Sequence, residues 1–418
     1  MKVVFVHPSH PNQFTQIAYG LSQRPGWHCS FLVSDAFTGP VRSENPPIAY
    51  YGYHEEEPKE SAAYCAQPME KGARCGKAVV EALAHLRAAG EADVVVGHAV
   101  FGSTLFVRQL LGIPVVSYVE LPGFHTLYGR PEFPVHYLLS MTHVTLQSLV
   151  YSSVLNSDLC VVPSEHARRL FPAELRDRVR VRMEGFQPSA RVPDRGALKR
   201  ELGLNGDAPV IGFAARSLES VRGFDIFVEA AKLIHRALPR AQFLAIGDEK
   251  TLYGSETLHL NGKTFKQHLW ETASLNGEPF ILRPFMDYPA FVRHLQAMDV
   301  ILFPIFEGAA NWGLFEAMAA GVPVLASDRC FVPEVITDGA DGFLFDPRDV
   351  DGFATAAVRI VSNPGLAERL GEGARRKITD RFSIGQAADA YAAIIEEAVA
   401  RFESESAGRN RMPLPIAS

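Results

Sequence analysis

The 418-residue sequence lacks several features that would each point to a particular class of protein. No apolar run reaches the roughly 18 residues that a transmembrane helix needs. Cysteines are few and scattered, and their odd number and spacing suit neither a disulfide framework nor a metal site. They are Cys29, Cys65, Cys75, Cys160 and Cys330. The sequence therefore predicts a cytoplasmic protein in which the cysteines are packing residues.

A strong excess of either charge is also absent. The formal net charge is -6 at pH 7, from 41 basic and 47 acidic residues. This balance gives no general attraction to nucleic acid or to an anionic membrane, so no nucleic-acid partner is predicted. Six arginines between residues 168 and 182 leave a peripheral contact with the inner face of a membrane open, although acidic residues interrupt them. An anionic ligand must be held by a local site.

Short apolar runs that alternate with helix-length patterns occur along most of the chain. This alternation predicts parallel sheets covered by helices on both faces. Strands are predicted at Lys2 to Val6, His28 to Val33, Asp93 to Val96, Pro114 to Tyr118, Leu159 to Pro163, Val179 to Met183, Val210 to Phe213, Gln242 to Ile246, Phe280 to Leu282, Val300 to Pro304 and Val322 to Ala326. The proline-bearing stretch from Ala36 to Pro68 is interpreted as loop.

The strand series divides at a polar stretch from Gln187 to Asp207, which we interpret as a linker. The predicted fold class is therefore α/β, with two doubly wound, Rossmann-like domains that face a central cleft. They comprise residues 1–190 and residues 207–380, and a helix at about residues 384–400 is expected to pack back on the first. Ligands of such sheets bind at the carboxyl ends of the strands, so two domains suit a transferase with two substrates.

The most informative motif is a strand, a glycine-containing loop and a helix between Pro304 and Ser327. The helix is predicted to open near Gly313, where loop amides and the helix N-terminus can face an anion. Glu316 then lies in the first turn, where its carboxylate can hold a diol while free N–H groups take phosphate. A structural role at a helix start is the ordinary alternative for this glutamate.

Residues Glu316 to Val324, with the sequence Glu-Ala-Met-Ala-Ala-Gly-Val-Pro-Val, resemble the family 4 retaining glycosyltransferases of GT-B fold. The resemblance implies that Glu316 binds the ribose of a nucleotide sugar and that the first glutamate of the pair, Glu307, contacts sugar hydroxyls. The family separates its two glutamates by seven residues, whereas eight separate them here. Asn311 is therefore an alternative for the sugar contact. Trp312, Gly313 and Leu314 are assigned to the donor site with it.

Arg216 and Arg222 follow the first strand of the second domain and lead into a helix. Two fixed cations there suit a diphosphate leaving group, whose charge grows as the sugar departs. The same family places an arginine and a lysine at this point, so the resemblance implies that Arg222 replaces the lysine. Solvated surface charges are the usual alternative for arginines.

The segment Pro279 to Met286 also resembles the family, and the resemblance extends over most of residues 207–380. Arg283 and Phe285 are assigned there as neighbours of the base or ribose. In the first domain, His98 and Glu120 follow predicted strands. They are candidate acceptor-side catalytic groups, and His125 is a further candidate partner of Glu120. Satisfied loop or core residues are the alternative for each histidine.

Together these residues predict a retaining glycosyltransferase that uses a UDP- or GDP-sugar as co-substrate and needs neither cofactor nor metal. Its acceptor is a hydroxyl of a glycan, a lipid-linked molecule or a small molecule, and the sequence indicates no oligomeric state. Asp349-Val350-Asp351 is interpreted as helix capping, not as a metal site. Same-face attack assisted by the leaving phosphate is implied by the resemblance. A nucleotide-sugar epimerase, a phosphorylase and a non-catalytic nucleotide-sugar-binding protein remain alternatives.

Overall fold

The structure, a computed structural model, describes residues 1–36, 48–57, 63–123, 130–275 and 277–407. The chain divides into two compact units. Unit 1 takes the described residues within Met1–His125, Tyr137–Gly185 and Phe382–Ser418. Unit 2 takes those within Thr126–His136 and Phe186–Arg381. Among the helices described, none has the length and apolar character to cross a bilayer.

Unit 1 is built on a parallel sheet, in which seven strands lie within the described residues, in the order β3-β2-β1-β4-β5-β6-β7. The strands are β1 Lys2–Val6, β2 His28–Ser34, β3 Ala49–Tyr53, β4 Val94–His98, β5 Val115–Tyr118, β6 Leu159–Val162 and β7 Val179–Val181. Strand order reverses between β1 and β4, which pair directly. Val3 and Phe5 face one apolar core while Val4 and Val6 face the other, so the strand reads as an unbroken apolar run.

The helices of unit 1 cover both faces of its sheet. They are α1 Thr15–Ser22, α2 Gln67–Ala88, α3 Val107–Leu111, α4 Tyr137–Leu155, α5 Glu165–Arg169 and α14 Ile384–Ala407. The C-terminal helix α14 packs beside α1, where Ala388 and Tyr391 join the core that contains Val3 and Phe5. Gly20 allows this contact, because a Cβ there would lie 2.7 Å from the Ala388 Cβ.

Unit 2 is a second parallel sheet, with the order β10-β9-β8-β11-β12-β13 across the strands described. They are β8 Val210–Ser217, β9 Gln242–Asp248, β10 Phe280–Arg283, β11 Val300–Phe303, β12 Val324–Ser327 and β13 Phe343–Phe345. Its helices are α6 Arg195–Glu201, α7 Phe224–Ala237, α8 Phe265–Thr272, α9 Tyr288–Ala297, α10 Trp312–Ala320, α11 Val332–Val335, α12 Val350–Val361 and α13 Pro364–Arg381. Strand order reverses between β8 and β11, and ligands of doubly wound sheets bind at such a point. Each unit is thus a doubly wound, Rossmann-like α/β domain.

Three elements differ from the sequence prediction. The stretch from Ala36 to Pro68 contains β3, an edge strand whose exposed positions gave no apolar run; Tyr50 in it stacks on Phe31 with ring centroids 5.6 Å apart. The interpreted linker contains α6, whose Asp194 cap accepts a hydrogen bond from the Ala197 N–H (2.8 Å). The three-residue strand β13 is too short to show a period, so the prediction missed it.

Residues 130–136 fall within the predicted first domain, residues 1–190, but the structure places them in the second unit. They belong to unit 2, although the chain on both sides belongs to unit 1. Arg130 forms a largely buried ion pair with Asp225 in α7, with an N–O distance of 2.8 Å. An isolated arginine in a loop gave no sequence signal of this long-range pair.

Candidate functional site

Arg216 lies at the carboxyl end of β8, beside the point where strand order reverses in unit 2. The pairing of β8 with β9 is irregular between Ala214 and Ser217, so a bulge contains the arginine. Its side chain is exposed, and no ion-pair or hydrogen-bond partner is found for it within the described part of the chain. Arg216 is therefore an exposed cation at the edge where an anionic ligand of this fold binds.

Arg222 differs from Arg216 because its guanidinium is largely enclosed. It ends a short 3-10 turn, stacks on the Tyr253 ring at 4.8 Å, and its side chain is 12% exposed. Its Nη1 donates a hydrogen bond to the Glu307 carbonyl oxygen (3.5 Å). The next residue, Gly223, has φ +75°, and a Cβ there would lie 2.1 Å from the Pro304 carbonyl oxygen. The loops after β8 and β11 are thus in direct contact.

Two buried glutamates, which the sequence prediction missed, fix the loop that carries Arg222. Glu219 accepts hydrogen bonds from the N–H groups of residues 252–254 (2.9 to 3.1 Å) and from the Ser217 hydroxyl (2.7 Å). Glu256 accepts from the N–H and the hydroxyl of Ser220 (3.0 and 2.9 Å). Burial raises the pKa of the Glu256 carboxyl. Glu219 lies between Arg216 and Arg222 in the sequence, which indicated that it has a charged neighbour. The sequence around Glu256 gave no such indication.

Glu316 is the fifth residue of α10 and is 6% exposed. The prediction that it lies in the first turn was wrong, because the helix begins at Trp312 and Asn311 is its N-cap. The Tyr288 hydroxyl donates a hydrogen bond to Glu316 Oε2 (2.9 Å). Burial raises the pKa of Glu316 and the bond from Tyr288 lowers it by less, so the pKa lies at about 7. The sequence gave no indication of Tyr288, which comes from the start of α9.

The raised pKa of Glu316 predicts a pH-dependent stability cost. Between pH 4.5 and 7 the folded protein keeps a proton on this carboxyl that the unfolded chain has lost, so stability falls as pH rises through that window. Glu316→Gln removes the cost and is expected to be more stable than wild type at pH 8, by at most about 3 kcal/mol, with no difference near pH 4. Thermal melts against pH measure this difference. Glu368→Gln, at an exposed position of α13, is the matched control, and equal effects of both variants would contradict the assignment.

The loop between β11 and α10 contains the two residues considered for a sugar contact. Glu307 is half-buried, and its Oε1 accepts a hydrogen bond from the Gly308 N–H (2.9 Å). Asn311 Oδ1 accepts from the Leu314 N–H at 3.4 Å and so caps α10. Trp312, beside Asn311, remains 44% exposed. The helix start therefore presents an exposed indole, whereas the Leu314 side chain is buried.

Arg283 and Phe285 lie at and beyond the end of β10, with different surroundings. The Arg283 guanidinium donates to the Leu202 carbonyl oxygen (3.4 Å) at the end of α6, which gives it a structural partner. Phe285 is 61% exposed, and its N–H donates to Asp248 Oδ1 (3.0 Å) at the end of β9. Phe285 is therefore the one of the two whose side chain is open to a ligand.

In unit 1, His98 ends β4 beside the reversal of strand order. It is 4% exposed, its Nδ1 accepts a hydrogen bond from the Val100 N–H (3.3 Å), and its ring lies 6.0 Å from that of His7. Burial lowers the pKa of both histidines, to about 4 for His7. Glu120 is exposed just beyond β5. His125 lies outside the described residues.

Several arginines between residues 168 and 182 have partners within unit 1. Arg168 pairs with Glu165 at 2.7 Å, and Arg180 pairs with Glu397 of α14. Arg176 donates to the carbonyl oxygens of Phe171 and Arg169. These contacts favour the interpretation of this stretch as a solvated, salt-bridged surface. The interpretation of Asp349 as a helix cap is confirmed, because its Oδ1 accepts from the Gly352 N–H (2.9 Å).

Family models match both halves of the chain. Residues 194–377 match the glycosyl transferases group 1 and residues 25–190 match the glycosyl transferase family 4 group. Both matched ranges are glycosyltransferase families, and together they cover most of the chain. The first of these ranges contains Arg216, Arg222, Glu307 and Glu316, so the candidate site of unit 2 lies within the group 1 region.

Curated relatives are similar to this chain over part of their length. A D-inositol 3-phosphate glycosyltransferase from Saccharomonospora viridis is 29% identical over 227 residues, which are 53% of this chain and 49% of that protein. The chain spans about half the length of the curated relatives that it matches first, with shares of 49%, 44% and 46%.

Solved structures are similar over nearly the whole chain. Sucrose-phosphate synthase from Thermosynechococcus elongatus has a TM-score of 0.71 and 18% identity, and the match covers 95% of this chain and 99% of that chain. Anabaena HepE in complex with UDP and glucose has a TM-score of 0.68 and 17% identity, with the same coverage. At these identities the likeness establishes the fold, which is that of GT-B glycosyltransferases.

Proposed function

We propose that the chain is a retaining glycosyltransferase that moves a sugar from a nucleoside diphosphate sugar to an acceptor hydroxyl without a bound metal. The observation that carries the proposal is the position of Arg216. It is an exposed cation at the carboxyl end of β8, where strand order reverses, inside the region that matches group 1. Such a position suits the diphosphate of a nucleotide sugar.

The departing diphosphate gains negative charge as the bond to the sugar breaks. Fixed cations and helix N–H groups stabilise that charge without having to reorganise. In the proposal Arg216 contacts the phosphates directly, while Arg222 supplies positive charge from its enclosed place against Tyr253. The start of α10, on the adjacent loop, adds N–H groups and the positive end of the helix dipole.

Glu316 is proposed to accept hydrogen bonds from the ribose diol. A carboxylate offers two acceptor oxygens, and Tyr288 already occupies Oε2, so Oε1 is the oxygen presented to a first ribose hydroxyl. The second hydroxyl replaces or joins Tyr288. Phe285 offers an exposed ring to the base, and Glu307 or Asn311 contacts the donor sugar.

The transfer step is proposed to keep the configuration of the sugar. The acceptor hydroxyl attacks from the face that the diphosphate leaves, and the leaving phosphate takes the hydroxyl proton, so no covalent sugar-enzyme intermediate forms. Similarity to the family 4 group supports this route. Glu120, exposed after β5, and the neutral His98 are the proposed acceptor-side groups of unit 1.

A binding screen followed by a product assay tests the proposal. UDP, GDP and ADP are first compared by thermal shift with EDTA present, since a ligand that binds the folded state raises the melting temperature. We expect one of them to bind in EDTA, because arginines neutralise the phosphates. The matching nucleotide sugar, starting with UDP-glucose because HepE was solved with UDP and glucose, is then incubated with acceptor mixtures.

The product distinguishes the alternatives. Sugar attached to an acceptor with the anomeric configuration of the donor supports the proposal. An epimerised donor, a sugar phosphate formed only with free phosphate, or binding without any turnover would each replace it with the corresponding alternative function. A requirement for added Mg²⁺ would overturn the metal-independent part alone.

A further inference from the structure

A short segment far from the donor motifs in sequence is built into unit 2. Residues 130–136 lie outside residues 194–377, which match the group 1 family. The Phe133 ring packs against that of Phe265, with centroids 5.7 Å apart and the planes almost perpendicular. His259 Nε2 donates a hydrogen bond to the Pro134 carbonyl oxygen (2.8 Å). The segment is thus anchored at its middle and end, and Arg130 anchors its beginning.

The Arg130 side chain is 6% exposed and is fully engaged. Its Nη1 lies 2.8 Å from both carboxylate oxygens of Asp225 and donates to the Ser220 carbonyl oxygen at 3.1 Å. The guanidinium carbon lies 4.3 Å from the centre of the Phe306 ring, and Nε donates to Glu132. Burial raises the pKa of Asp225, while Arg130 lowers it. Removal of the guanidinium would leave the largely buried Asp225 carboxylate, whose side chain is 21% exposed, without its cation, which is costly.

Besides Asp225 and Glu132, Arg130 contacts one group on each of the two loops of the candidate site. Ser220 begins the turn that ends at Arg222, and Phe306 directly precedes Glu307. The loops are also joined to each other, because the Phe306 N–H donates to the Val221 carbonyl oxygen (3.0 Å). A single guanidinium therefore touches both loops, one through a carbonyl oxygen and the other through a ring face.

We propose that Arg130 is a positioning residue of the donor site, which holds the Arg222 turn and the Glu307 loop in the spacing needed for transfer. The inference rests on the proposed function. Arg130 acts through the two loops and is not assigned a contact with substrate. A displacement of about 1 Å at such loops can cost on the order of 100-fold in rate, so the effect should appear mainly in kcat.

The test compares Arg130→Ala with Arg108→Ala. Arg108 forms a similar buried pair with Asp158 in unit 1, with a distance of 2.8 Å and side chains that are 8% and 0% exposed. Each variant leaves a carboxylate without its cation, and Asp158 is the more buried of the two, so Arg108→Ala is expected to lose at least as much melting temperature as Arg130→Ala. Per folded molecule, only Arg130→Ala is expected to lose kcat, by about tenfold or more, with a smaller change in the donor KM.

Arg130→Lys decides the matter if the alanine variant does not fold. Lysine keeps a charge opposite Asp225 but lacks the planar fork that reaches Ser220 while stacking on Phe306. Near wild-type stability with a kcat lowered at least threefold would support positioning, as would partial recovery of Arg130→Ala by low, non-denaturing guanidinium chloride. Wild-type kcat in either folded Arg130 variant, or an equal loss in Arg108→Ala, would overturn it.

Different results would contradict the proposed function and the positioning role of Arg130. If wild type binds none of UDP, GDP and ADP and turns over no nucleotide sugar, the proposed function fails and the role of Arg130 fails with it. If wild type is active and the Arg130 variants match it, only the positioning role is lost.

Discussion

Arg216→Ala is expected to lower kcat by about 100- to 1000-fold, the range seen when one preorganised stabiliser of developing charge is removed. The side chain is exposed and lies in a bulge at the end of β8, and no partner for it is found among the described residues. Its loss should therefore disturb the fold little and affect the reaction directly. Steady-state kinetics with the nucleotide sugar found in the screen, together with melting temperature, measure both effects.

Arg293→Ala is the control for this prediction. Arg293 is also an exposed arginine of unit 2, but it lies in α9 and pairs with Glu201 of α6. We expect Arg293→Ala to change kcat less than about threefold. Arg216→Lys should recover part of the rate, because lysine binds phosphate as a point charge without the bidentate fork. Wild-type turnover in Arg216→Ala would remove the direct phosphate contact from the proposal.

Glu316→Ala is expected to weaken binding of the nucleoside diphosphate by about 10- to 100-fold. Hydrogen bonds to a charged group contribute roughly 1.5–3 kcal/mol, which corresponds to that range. Because burial raises the pKa of Glu316 to about 7, wild-type affinity should also rise as pH increases through 7, where the carboxylate becomes a full acceptor. Calorimetric titration at pH 6 and pH 8 measures both effects.

A nucleotide analogue separates a ribose contact from a general effect on the fold. The 2′,3′-dideoxy analogue has no diol, so it should bind wild type and Glu316→Ala with nearly equal affinity. Tyr288→Phe, which removes only the hydroxyl that contacts Glu316 Oε2, should give a smaller loss with the normal nucleotide. An undiminished Glu316→Ala effect on the dideoxy analogue would show that Glu316 does not bind the diol.

Periodicity predicted the two sheets because their inner strands are buried on both faces. β1 is apolar at nearly every position, and its predicted bounds agree with the structure. The elements that were missed have weaker signals. β3 is an edge strand with exposed positions, and β13 has only three residues.

The candidate site was predictable where its residues are close together in sequence. Arg216 and Arg222 lie within seven residues at and after the end of β8, and Glu307 and Glu316 lie in the loop and helix that follow β11. The structure shows two further residues that contact the site although they are distant from it in sequence. Tyr288 comes from α9 and Arg130 from a segment between parts of unit 1, and no local pattern encodes such contacts. The sequence analysis assigned the same role to both arginines. In the structure Arg216 is exposed, whereas the Arg222 side chain is only 12% exposed.

The central claim is that unit 2 binds a nucleotide sugar at the carboxyl ends of β8 and β11. A crystal structure with the nucleoside diphosphate identified in the screen tests this most directly. We predict phosphate oxygens within hydrogen-bond distance of the Arg216 guanidinium and the ribose diol on Glu316. A cavity of about 610 Å³ lies at the amino ends of the strands of the same sheet, near Arg191, Asp299 and Arg375. A nucleotide bound in that cavity, with Arg216 and Glu316 untouched, would contradict the account.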